Sequence, residues 1–378
     1  MSRATPSLLV IALGLACGMQ AQTGGAPASD FAALAARAAA ARDADRSGEA
    51  IALYQKAVAL RPGWGEGWWS LGMLHYESRA FRPAAEAFQR AAALNSKNGL
   101  ARAMLGLSEF ELGQDASALK HIEESEELGL PADPQLQHVL LYHEGVLLRR
   151  AGKFQQALRQ LHALCSAGVR NPDLLQALGM TALWRAEKEP ADGRDAGIVA
   201  RVGEAECLAA QEKFDEARQR YAAIARDFPT QQNLHYAYGS FLLAAQDLPA
   251  GWAELEQEIR NNPRHVMARL AIAATKYKVD SAGGLRYAEE AVKLDPTLVL
   301  GHYVLGLLLV DTDDYQRAIP ELEMVQKAEP KFARVYLALG SAYAGAGREQ
   351  DAARARTTFQ RLQQSGTKGP ELLPEPEQ

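Results

Sequence analysis

Apolar and small side chains return along this chain at a fixed interval. In residues 65–98 the pattern is Trp68, Leu71, Gly72 and His75, then Ala84, Phe88 and Ala91, closed by a polar turn at 95–98. Spacings of three and four within each half put these residues on one helical face, so the stretch predicts two packed helices joined by a turn. Leu71 to Leu105, Gly72 to Gly106, Ala84 to Ala118, Ala50 to Ala84 and Tyr54 to Phe88 are each 34 residues apart. Later, Pro229 to Pro263 is 34, Pro263 to Pro296 is 33 and Pro296 to Pro330 is 34, and Leu305 with Gly306 returns as Leu339 with Gly340.

Two places break the step. Gly106 to Gly145 and Ala118 to Ala157 are both 39, which puts five extra residues in the connection before Asp133 and Pro134, an N-cap followed by a first-turn proline. Ala157 to Ala217 is 60, so one short unit intervenes. Asn171 and Pro172 start its helix, and the polar run from Glu187 to Asp195 reads as an irregular loop with no second helix. The expected organisation is a signal peptide at 1–22, a linker at 23–30 ending in Asp30 as the first N-cap, and a repeat array at 31–171. A short irregular unit follows at 172–197, a second array at 198–366 and a disordered tail at 367–378.

These residues resemble the tetratricopeptide repeat, whose signature is W-x2-L-G-x2-Y, then A-x3-F, then P. From Trp68 the match departs at His75 and Ser96 only. The resemblance implies an all-α, right-handed solenoid of stacked helix-turn-helix repeats, here nine regular pairs and one short unit, that holds other proteins. Gly or Ala at the helix crossings lets axes approach to roughly 8–10 Å, while Leu71, Leu105, Leu305 and Phe88 fill the space beside them.

The family also implies which side chains meet a partner, since its first helices line a concave groove at positions two, five, nine, twelve and thirteen of each unit. Carried over, these are Trp69, Met73 and Tyr76; Phe110; Tyr142 and Arg149; Met180 and Trp184; Tyr236; Arg269, Lys276 and Tyr277; and Tyr303. An aromatic-lined groove with a few cations suits an extended or helical peptide with apolar anchors. The competing use of each ring is packing on the adjacent first helix. The Lys and Asn pair with which the family's chaperone-tail receptors grip a terminal carboxylate is replaced here by Trp69 and Met73, Ala103 and Leu107, and Tyr142 and Val146.

Composition narrows the partners. The chain has 378 residues, 48% of them hydrophobic and 23% charged, which is long for one core but natural for stacked repeats. A net charge of −5 without a clustered basic face argues against nucleic acid. Arg3 followed by an apolar run from Leu8 to Met19 is too short to span a bilayer and has the plan of a secretory signal, so an exported, periplasmic or secreted protein with no transmembrane segment is expected. Cys17 raises a lipid anchor as the rival to simple cleavage, with Gly14 standing where a lipoprotein signal carries Leu.

No constellation points to catalysis, a metal or a cofactor. His143 and Glu144 open like H-E-x-x-H but lack the second His. Asp311, Thr312, Asp313 and Asp314 open like a calcium loop, yet Tyr315 and Gln316 stand where a ligand and the turn glycine belong, so an ordinary turn is expected. Residues 63–67 are Gly-rich but follow a helix, which makes them an inter-repeat turn. The acidic run 123–127 reads as a solvated outer face. An enzyme would have to use Glu187, Glu189, Asp192 and Asp195 in the 186–197 loop; a structural subunit of an envelope assembly is the other alternative to a binding scaffold. Cys165 and Cys207 are expected as two buried thiols, kept apart by the intervening helix.

Overall fold

The computed structural model describes residues 26–188 and 193–365. The expected signal peptide, Cys17, Glu189, Asp192 and the 367–378 tail lie outside the described residues. Within them are nineteen α-helices and no strand. The chain divides into two compact units, Met1–Lys213 and Phe214–Gln378, each described by itself.

The first unit holds α1 (Ala26–Asp43), α2 (Ser47–Leu60), α3 (Gly65–Glu77), α4 (Phe81–Leu94), α5 (Gly99–Glu111), α6 (Asp115–Leu128), α7 (Pro134–Arg150), α8 (Phe154–Ser166), α9 (Pro172–Ala182) and α10 (Gly193–Ala210). The second holds α11 (Phe214–Asp227), α12 (Leu234–Ala244), α13 (Leu248–Asn261), α14 (Val266–Lys276), α15 (Ser281–Leu294), α16 (Val299–Asp311), α17 (Tyr315–Ala328), α18 (Ala333–Gly345) and α19 (Glu349–Gln364). Helix α1 begins at Ala26, so Asp30 lies inside it rather than capping it, and the last residues of the expected linker are helical.

Each repeat closes at the same place. The tight turn between its helices puts one residue in the left-handed region at Asp45, Arg79, Gly113, Gly152, Gln246, Lys278, Asp313 and Gly347. Only three are glycine, so stacking imposes this conformation on residues that would not choose it. Asp133 accepts from the amides of Gln135 and Leu136, and Asn171 from Leu174, as their Asx-Pro starts predict. Asp314 caps α17 and Asp311 accepts from Ser281, so the calcium-like run is the expected turn.

The small residues are where the helices cross. Ala50, Ala84, Ala118, Ala157, Ala217 and Ala318 are fully buried. A Cβ on Gly72 would lie 2.7 Å from the Phe88 ring, and one on Gly306 would lie 2.5 Å from Leu322. Burying a side chain of that size contributes roughly 1.5–3 kcal/mol, and Phe88 is fully buried.

A second device joins repeat to repeat. A donor in the first turn of a first helix reaches back six residues to a proline carbonyl in the preceding turn: Trp68 Nε1 to Pro62 (2.9 Å), His235 Nε2 to Pro229 (2.9 Å), His302 Nε2 to Pro296 (3.0 Å) and Tyr336 Oη to Pro330 (2.9 Å). Three side-chain chemistries fill one role, because the requirement is only a ring with an outward N–H or O–H.

The short unit is corrected by the structure. A second helix does follow α9: α10 starts at Gly193 and packs antiparallel along α9, so the irregular loop is shorter than 186–197 and Asp195 is helical. The pair meets glycine to backbone. A Cβ on Gly179 would fall 1.9 Å from the Val199 carbonyl oxygen, and one on Gly203 would fall 1.8 Å from that of Leu175. The first unit therefore ends at Lys213, with α10 included. Cys165 in α8 and Cys207 in α10 form a disulfide with Cα atoms 5.4 Å apart, not two thiols. Helix α9 does not separate them, since α10 packs back against α8 as well.

Candidate protein-binding surface

The expected groove residues fall into two groups. In the first unit, Trp69, Met73, Tyr76, Phe110, Tyr142 and Trp184 are half-buried, each seated on the core and partly open. Trp69 lies 5.4 Å from the Phe88 ring and Tyr76 meets Phe81 edge-on at 5.5 Å. Phe110 and Tyr142 both meet the His143 imidazole edge-on, at 4.6 and 5.4 Å, and the Arg150 guanidinium sits 4.9 Å above Phe110. Trp184, in a left-handed conformation after α9, stacks on Phe154 at 5.3 Å. Burial pushes the hydroxyls of Tyr76 and Tyr142 up to about 12, so both stay protonated donors at any physiological pH.

Arg149, Met180, Tyr236, Arg269 and Tyr303 are buried instead, which corrects their assignment to an open groove. Tyr236 stacks on His265 at 4.8 Å, and Tyr303 meets Phe332 edge-on at 4.8 Å. Arg269 donates to Glu290 (2.9 Å) and to the His265 carbonyl (3.1 Å). Arg149 donates to the carbonyls of Arg185 and Glu187, at 2.7 and 2.8 Å, and so pins the turn after α9. Burial lowers its pKa to about 10. Lys276 and Tyr277 are half-buried; the ammonium sits 4.1 Å above Trp252 and bonds Asp280 at 2.6 Å.

Of the loop carboxylates, Asp195 pairs with Arg185 at 3.3 Å. Among the described residues no group of three or more His, Cys, Asp and Glu is placed to hold a metal. Nor, among them, is any helix long and apolar enough to cross a membrane. The sequence reading passed over the pairing of histidine with glutamate across helices: His121 with Glu109 (2.7 Å), His162 with Glu206 (2.7 Å), His235 with Glu254 (2.6 Å) and His302 with Glu321 (2.5 Å). A shared His-to-Glu spacing of 19 residues, at 235 to 254 and 302 to 321, was the available signal for two of them.

The tetratricopeptide repeat model matches residues 70–135, 203–265 and 303–370, just over half of the chain. With nineteen helices in repeating pairs, the chain belongs to the tetratricopeptide repeat family, and its fold is that family's all-α repeat solenoid, a type of scaffold that generally serves protein interaction without catalysis. No curated protein matches it in sequence. Among solved structures it is similar to MamA (18% identity, TM-score 0.40, covering 43% of this chain and 95% of that one). It is also similar to MamA 41-end from Desulfovibrio magneticus RS-1 (19%, 0.43, 46% and 98%). A third is YrrB, described as a TPR protein with an unusual peptide-binding site (18%, 0.29, 58% and 96%).

Proposed function

We propose that the chain is a non-catalytic scaffold that holds a segment of a partner protein along the first-helix row of its first unit, with Trp69, Met73, Tyr76, Phe110, Tyr142 and Trp184 as anchors. The observation that carries this is the state of those side chains. Each is half-exposed yet fixed from behind by a ring or the core, so a partner buries large apolar area without first ordering it.

The protein works in an oxidising compartment, exported to the periplasm or beyond. A buried disulfide is the support for this, because such bonds are rare where glutathione and thioredoxin keep thiols reduced. The apolar run behind Arg3 points the same way.

A photo-crosslinking amino acid placed at Tyr76 or Tyr142, and separately at Lys56 or Arg90 on the exposed sides of α2 and α4, tests the surface in cells. Adducts confined to the first pair are expected. Equal adducts from both pairs, or none from Tyr76 and Tyr142, would refute it. Fractionation with the cysteine pair scored as oxidised or reduced tests the compartment; a reduced cytoplasmic pool refutes export.

A further inference from the structure

Between α2, α3 and α4 of the first unit lies a cleft of about 260 Å³. Its floor is apolar: Val58 of α2, Leu71 of α3 and Ala87 of α4 are buried and belong to one core cluster, against which the Trp68 ring is packed. The indole is held in place, because its Nε1 donates to the Pro62 carbonyl at 2.9 Å. Three polar side chains line the same cleft, Gln55, His75 and Glu86, one from each helix. Gln55 and Glu86 are exposed at the rim, and His75 is half-buried.

The His75 ring makes no hydrogen bond among the described residues, whereas the polar side chains that take its place in two other repeats do. Three residues after the crossing glycines Gly72, Gly106 and Gly340 stand His75, Glu109 and Tyr343. Glu109 bonds His121 at 2.7 Å, and the Tyr343 hydroxyl donates to Glu323 at 2.7 Å. The first kind of partner is missing beside His75, since the place of His121, three residues after the crossing alanine, is Ala87. The second is present as Gln55, five residues after Ala50 as Glu323 is five after Ala318. An imidazole is shorter than a phenol, however, and no hydrogen bond joins His75 to Gln55.

Burial lowers the His75 pKa below its usual 6.5, against the opposing charge of Glu86, so the ring is neutral at pH 7 and one of its nitrogens can accept. A cavity of about 150 Å³ already holds a benzene ring. The rim residues Gln55, Ala59, Pro83 and Glu86 are exposed, so a ring can enter with its own backbone left at the surface. A charged head group would lose its water against the apolar floor. A ring with one hydroxyl suits both halves of the site.

We propose that this cleft receives the phenol ring of a tyrosine projecting from a partner protein, with the ring between Trp68 and the floor of Val58, Leu71 and Ala87 and its hydroxyl donating to His75. The Gln55 amide is placed at the rim to donate to the same hydroxyl oxygen. The occupant repeats from outside what Tyr343 does from within. The contact is separate from the aromatic row, because Trp68 and His75 lie one residue round α3 from Trp69 and Tyr76 and so face another side of the helix.

The test uses the full chain with labelled histidine, followed by NMR at pH 7.5 with N-acetyl-tyrosine amide and N-acetyl-phenylalanine amide as probes. The His75 signals are the ones lost in His75→Tyr. Capped tyrosine is expected to shift them saturably and to show ring-proton contacts to Trp68, and capped phenylalanine to bind about three- to tenfold more weakly for want of one hydrogen bond. His75→Tyr supplies the ring from the chain itself and is expected to abolish the probe's contact with Trp68 while melting no lower than the wild type. Tyr142→Ala, in the aromatic row, is expected to leave the probe's affinity unchanged, so the two surfaces are read separately. No shift with either probe, equal binding of both, Trp68 contacts that persist in His75→Tyr, or a lower melting point of that variant overturns the proposal. Binding of 4-methylphenol without binding of the capped residue would make the cleft a small-molecule site and overturns the assignment to a partner chain.

Discussion

Cys165 and Cys207, 42 residues apart in sequence, are joined across helices α8 and α10 with their Cα atoms 5.4 Å apart. The bond ties the last helix of the first unit to the repeat two helices earlier. Closing a loop of that length is worth about 2–4 kcal/mol. Cys165→Ala with Cys207→Ala is expected to lose that much in denaturant unfolding, and reducing agent should destabilise the wild type but not the double variant. Identical unfolding curves would mean the bridge does not form.

The α9 and α10 backbones touch at Gly179 and Gly203, where a Cβ would fall within 2 Å of the facing carbonyl. Ala at either position forces the helices apart, and backbone cannot yield as a flexible side chain can. Gly203→Ala is expected to cost about 1–3 kcal/mol and to speed amide exchange in both helices. Unchanged exchange in α9 would show that the pair does not pack as described.

Ala84 is fully buried where α3 and α4 cross, beside Phe88. Ala84→Leu inserts three carbons into filled space, and a loss of about 1–3 kcal/mol through overpacking is expected. An unmoved melting midpoint would break the assigned register of every repeat, since the same position is Ala50, Ala118, Ala157, Ala217 and Ala318.

Two histidines of the second unit respond to pH in opposite directions. Burial is the largest influence on His235 and opposes its charge, yet its bonds to Glu254 and the Pro229 carbonyl leave the imidazole above its usual 6.5. Its contribution is fully present below pH 6.5 and is lost as pH rises through the raised value. Burial, with Arg269 nearby, lowers His265 to about 4. Its neutral ring caps α14 by accepting from the Ala268 amide at 3.0 Å, so that contribution is present above pH 6.5 and is lost as pH falls towards 4. Exchange protection in α12 should fall above neutrality in the wild type but stay level in His235→Gln, while α14 should lose protection on acidification. The same pH profile in both helices would contradict the assignment.

Much of this architecture is written in one dimension. A 34-residue interval of small and large apolar residues determines paired helices, their crossing points and the turns between them, because each repeat packs only on its neighbours and the same contact is made again and again. The Asx-Pro helix starts at 133 and 171 are equally local, since a cap needs only the next few amides. The family and the row of candidate anchors follow from that register.

Tertiary structure alone decided what crosses between repeats. The second partner of α9, the disulfide and the burial of Tyr236, Arg269 and Tyr303 depend on how far a later helix folds back, which no interval encodes where the step is broken or a neighbouring turn moves inward. Glu144 combines both sources. The interval marks Glu144 as a position that is leucine in other repeats, but only the packed helices bury it and leave one carboxyl oxygen without a partner, because solvation is set by what surrounds an atom in space.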